Sequence, residues 1–159
     1  MNAVFFGKTL GLKQIKANLF VIAAFDGICG VAGHLLSKYL SGQRASTTHM
    51  LVSAIAGVGC LLLHFGNWLS WPEWALVMSI ALVALSAPTA LSFLNIMLYA
   101  SYPTTKRTVP MLIVTVMGKL GALSSVQFVE YFPAHLFLIF GVLSFLLIPL
   151  TLLRISNYN

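Results

Sequence analysis

Charge is what this sequence has least of. Only 8% of its 159 residues are Asp, Glu, Lys or Arg, against about a quarter in an ordinary globular domain, and that scarcity excludes a soluble fold. A single core of this size would leave too much apolar surface facing water. Acids are rarer still, three against nine Lys and Arg. The net charge of +6 therefore comes from missing carboxylates rather than from a basic tract, and an ordinary nucleic-acid binder is excluded. Two cysteines are too few for a disulfide scaffold. What is abundant is apolar side chain, 59% of residues, with a mean hydropathy of +0.94. Disorder is excluded by the same figure. The remaining solvent is lipid, and the fold expected is an all-α integral membrane protein.

A helix needs about 20 apolar residues to cross a bilayer of about 30 Å. Five segments qualify: Ala17–Tyr39, Thr48–Phe65, Trp74–Ala100, Val109–Val129 and Ala134–Arg154. Five complete spans over 17–154 leave no room for a soluble domain, and residues 155–159 form a tail. Lys38 and Arg44 follow the first span, Lys106 and Arg107 the third and Arg154 the fifth, whereas the opposite loops carry only Glu73 and Glu130. The positive-inside rule places the basic loops and the C-terminus in the cytoplasm. Trp68, Trp71, Trp74, Tyr131 and Phe132 form an aromatic belt on the other side. Lys8, Lys13 and Lys16 break the alternation, and the apolar stretch Asn2–Phe6 is too short to span and has neither the basic start nor the length expected of a signal peptide. Residues 1–16 thus read as the end of an earlier helix and an outer loop, in the back part of a longer protein.

Two full charges fall deep in spans, Asp26 in the first and Lys119 in the fourth. Each costs roughly 2.5–3.5 kcal/mol at mid-bilayer, so each needs a partner or a water-filled cavity. They lie at similar depth. Two readings coexist: the charges neutralise each other and hold two helices in register, or they line an aqueous path. Helical periodicity places Gly30 and Gly33 on the face of Asp26, and Gly118, Gly121, Ala122 and Ser125 on a close-packing face beside Lys119. Pro88 should kink the third span. His34, one turn below the Asp26 face, reads as bonded to a neighbouring helix rather than as a proton relay, His49, His64 and His135 as interfacial, and Cys29 and Cys60 as packing residues. No His, Cys, Asp or Glu grouping has metal-ligand spacing, and no nucleophile motif or phosphate loop is present. Neither metal, cofactor nor enzyme activity is expected.

The stretch Asn95-Ile-Met-Leu-Tyr-Ala-Ser-Tyr102-Pro103-Thr104-Thr-Lys-Arg107, followed by Val116-Met-Gly118-Lys119-Leu-Gly121-Ala122, resembles the tenth-to-eleventh helix region of the organic cation/anion transporter family of the major facilitator superfamily. That family carries an aromatic-Pro-Thr-x-x-Arg loop there, then a charged residue just before apolar-Gly-small. Gly7-Lys-Thr-Leu-Gly-Leu looks like the end of helix seven, Ala23-Ala-Phe-Asp26 like helix eight, and Ser37-Lys-Tyr-Leu-Ser-Gly42-Gln-Arg44 like a degraded loop eight-to-nine motif. The resemblance implies the C-terminal part of a twelve-helix plasma-membrane carrier that works by alternating access and is completed by an N-terminal six-helix half. Under it, Lys119 and Asp26 bind a small organic ion, the lysine favouring anions, while Gly42, Arg44, Pro103 and Arg107 belong to the gating loops. Pro88, Gly30, Gly33, Gly118 and Gly121 serve as hinge and packing residues. The departures are Ala100, where the family has an acid, a missing acid in the eight-to-nine loop, and a last helix ending Leu153-Arg154-Ile155. Without those acids the loop arginines lack their usual partners. The alternative is a truncated membrane subunit that transports nothing and has a structural or assembly role.

Overall fold

The computed structural model describes residues 11, 15, 18–40 and 45–156. Within these the chain forms five long helices and no strand: α1 (Leu19–Leu40), α2 (Ala45–Trp68), α3 (Glu73–Ser101), α4 (Thr108–Tyr131) and α5 (Leu136–Ser156). Single turns of 3₁₀-helix at Thr104–Lys106 and Pro133–His135 lead into α4 and α5. The first four helices are long and apolar enough to cross a membrane, and α5 continues a shorter apolar stretch at Pro133–Leu146. The protein is an all-α membrane bundle. Helix α2 extends three residues beyond the expected span at each end, and α5 runs on to Ser156, inside the segment expected as tail.

The helix ends follow local chemistry. Tyr102 precedes Pro103 and takes an extended backbone (φ −124°, ψ 134°), which stops α3. Pro110 falls in the first turn of α4, where its missing N–H costs nothing. At the other end of the molecule α2 closes through Ser70, whose φ of 53° lets the Trp71 N–H donate to the Gly66 carbonyl at 2.9 Å. The Trp71 ring then covers Gly66, where an added Cβ would approach it to 2.9 Å. We call this the tryptophan end, and the end bearing Tyr102–Arg107 the arginine end.

Four helices form a row in the order α1, α3, α2, α5. Glycines set the spacing, because in lipid close backbone approach replaces the hydrophobic drive. Gly59 lies against Val83 and Gly66 against Leu76, so α2 and α3 run antiparallel. Gly57 meets Phe145 and Gly141 meets Leu61 and the Gly57 carbonyl, which makes α2 and α5 antiparallel as well. The core joins Cys60 and Leu63 to Ile80 and Val83 on one side and to Phe137 and Phe140 on the other. Helix α4 stands outside the row. It is held at the tryptophan end, where Phe128 and Val129 pack on the core.

Candidate functional site

Helices α1 and α3 run parallel and are joined by polar contacts at three depths. At the tryptophan end the Asn18 backbone N–H donates to Glu73 Oε1 at 2.7 Å. Deeper, Thr89 Oγ1 donates to the Gly33 carbonyl at 2.9 Å. Beyond it, His34 Nδ1 and Ser92 Oγ share a hydrogen bond of 2.9 Å. Gly33 is buried and seated on the proline turn of α3: a Cβ there would collide with the Leu85 carbonyl oxygen and stand 3.0 Å from both Pro88 Cγ and Thr89 Oγ1. Pro88 has no N–H to offer the preceding turn. The single Thr89 hydroxyl proton is shared between the Gly33 carbonyl and the Leu85 carbonyl, the latter at 2.6 Å. The structure thus brings Gly33 and Pro88 together. Gly30 faces open space.

Asp26 is half-buried. It lies on the stripe of α1 that holds the buried Ile22, Gly33 and Ser37, so its side chain belongs to the face turned to α3. An open apolar cleft of about 610 Å³ runs from the tryptophan end along the same two helices. Val21, Phe25, Trp74, Val77 and Met78 line it, with Asn18 and Glu73 among its polar groups. Its Phe25 is the residue before Asp26.

Lys119 is exposed on α4. Among the described residues no hydrogen bond or ion pair holds it. Ser125 is the buried residue of this helix. Gly118, Gly121 and Ala122 are half-buried on the same side as Ser125, while Val109, Leu112, Ile113, Val116, Leu120 and Leu123 form an exposed apolar stripe on the other. Lys119 sits on the flank between the two. The structure does not bring Asp26 and Lys119 together: α1 packs on α3 at Gly33 and shares no extended packing with α4.

At the arginine end, Pro103 starts the 3₁₀ turn and its carbonyl accepts from Lys106 N at 2.9 Å. Arg107 folds back on α3: its Nε donates to the Tyr102 carbonyl at 2.6 Å and its guanidinium lies 5.7 Å from the Tyr99 ring centroid. A helix C-terminus and an aromatic face thus satisfy the cation where the sequence offers no acid. Gly42 and Arg44 lie outside the described residues.

The glycines that space α2, namely Gly57, Gly59 and Gly66, together with Gly141 of α5, were not singled out in the sequence. For Gly57 the signal was the small-residue spacing Ser53-x-x-x-Gly57. His49 and Ser53, one turn apart on α2, are buried with no hydrogen-bond partner for either side chain. Among the described residues no group of three or more His, Cys, Asp or Glu converges. Comparison with family models, curated proteins and solved structures finds no match to the chain.

Proposed function

We propose that this chain is the C-terminal portion of a secondary-active carrier of small organic ions, organic anions favoured, at the plasma membrane with its C-terminus in the cytoplasm. The observation that carries the reading is Lys119, exposed on a membrane-length helix that otherwise turns an apolar stripe outward. A lysine there costs about 2.5–3.5 kcal/mol in lipid, so it faces water or further protein, and both are what a carrier cavity at a helix-bundle interface provides. Asp26 borders the same layer from α1, next to an apolar cleft suited to the body of an organic solute. Further helices, an N-terminal six-helix half in the resemblance to the organic cation/anion transporters, complete the cavity. The experiment is uptake of an aromatic carboxylate by cells expressing the protein. Lys119→Ala should abolish it and Lys119→Glu should turn preference toward organic cations. Uptake indifferent to both substitutions removes the reading.

A second reading, a non-transporting membrane subunit, draws on Arg107, whose hydrogen bond to Tyr102 and stacking on Tyr99 close the loop on itself without a gating acid. An antibody to Arg154–Asn159 separates the two. Twelve spans of about 20 residues with their loops require a natural polypeptide roughly three times the 17.3 kDa of this chain, whereas a band at 17.3 kDa favours the subunit.

A further inference from the structure

His64, in the last turns of α2, and His135, in the 3₁₀ turn before α5, are 71 positions apart in sequence (135 minus 64) and meet at the tryptophan end. Their ring centroids are 5.9 Å apart and the rings are inclined at 45°. With metal–nitrogen bonds of about 2.0–2.1 Å, two imidazoles on one ion have centroids about 5 to 6.4 Å apart for bond angles from tetrahedral to linear. The observed spacing falls in that range. Both rings stand on fixed backbone, since Leu63 and Leu136, their chain neighbours, are buried in the core. The Ala134 backbone lies beside the His64 ring, where it can serve as the outer partner that metal-ligating histidines use.

We propose that His64 and His135 form a two-histidine site for a divalent transition-metal ion that prefers imidazole, such as Zn²⁺. His135 is exposed and His64 half-buried, so water completes the coordination shell and the ion has an entry path. The bound ion clips the connection between α4 and α5 onto the end of α2. This inference is independent of the carrier reading, because it concerns one rim of the bundle and no solute.

The test is calorimetric titration of Zn²⁺ into the full chain, purified in detergent without a histidine tag. One saturable ion per chain is expected. His64→Gln and His135→Gln should each weaken binding by more than about tenfold, the least that loss of even an outer-sphere partner costs, while His34→Gln on α1 leaves it unchanged. Cu²⁺ should show two nitrogen ligands by electron paramagnetic resonance in the parent and one in each single variant. Exposed His135 makes its variant the safer of the two for folding, and metal-free thermal unfolding equal to the parent's verifies this. Absence of saturable binding in the parent, or a Kd within twofold of the parent's in the folded His135→Gln variant, overturns the proposal.

Discussion

Adding one methyl group at Gly33 tests the packing of α1 on α3 most directly. The new carbon would collide with the Leu85 carbonyl and press within 3.0 Å of Pro88 Cγ and Thr89 Oγ1. A backbone carbonyl and a proline ring cannot rotate away, so the helices must separate. Overpacking of this kind costs about 1–3 kcal/mol, and separation also weakens the Thr89 bond to the Gly33 carbonyl, about 0.6 kcal/mol for an average bond between membrane helices. The better helix propensity of alanine returns about 1 kcal/mol. We therefore expect Gly33→Ala to destabilise by about 0.6–2.6 kcal/mol overall. Gly30 provides the control, since an added Cβ there meets nothing within 4 Å and Gly30→Ala should be neutral or stabilising. Denaturation of the detergent-solubilised protein with SDS, followed by tryptophan fluorescence, measures both. A disulfide engineered as His34→Cys with Ser92→Cys reports separation, and should form more slowly in the Gly33→Ala background. Equal stability of the two alanine variants would refute the reasoning.

Ser70 holds a left-handed backbone that costs an L-residue roughly 1–2 kcal/mol. Ser70→Gly should therefore raise the thermal midpoint, and a lower midpoint would mean that the serine side chain is worth more than the backbone relief. Arg107→Ala removes both the hydrogen bond to Tyr102 and the contact with Tyr99, so amide exchange across 102–107 should accelerate by about tenfold for a loss near 1.4 kcal/mol. Arg107→Lys keeps the charge but not the guanidinium geometry and should recover only part of this protection. Unchanged exchange in Arg107→Ala would show that the loop is held by its proline turn alone.

The sequence was most legible where a single physical demand dominates. Length and apolarity place all five helices within three residues of their observed ends, because the bilayer requires a minimum span and Pro103 and Pro72 punctuate it. The seat of Gly33 on the proline turn was half legible: the glycine and Pro88 each stand out, but only the parallel packing of α1 on α3 shows that they meet. Which helices neighbour each other was hidden, since each span is apolar on most faces and its periodicity names no partner. The same ambiguity made an Asp26–Lys119 pair plausible from depth alone. Depth fixes height in the membrane and leaves direction around the helix undetermined. The histidines at 64 and 135 were read separately, as interfacial residues, and their meeting was hidden for a related reason: ligand motifs are read from short spacings, and these residues come together through folding.

The three polar contacts between α1 and α3 stand at nearly constant offsets of 55, 56 and 58 residues. They act as the rungs of a ladder, and a ladder resists the sliding of one rail along the other. A force on α1 is passed to α3 at three levels, and through the glycine contacts of α2 onward to α5. Such a frame moves as a block. Helix α4 has no such ladder among the described residues: Phe128 and Val129 fasten it to that frame at one end and Arg107 at the other, and Lys119 lies on the stretch between the two fastenings.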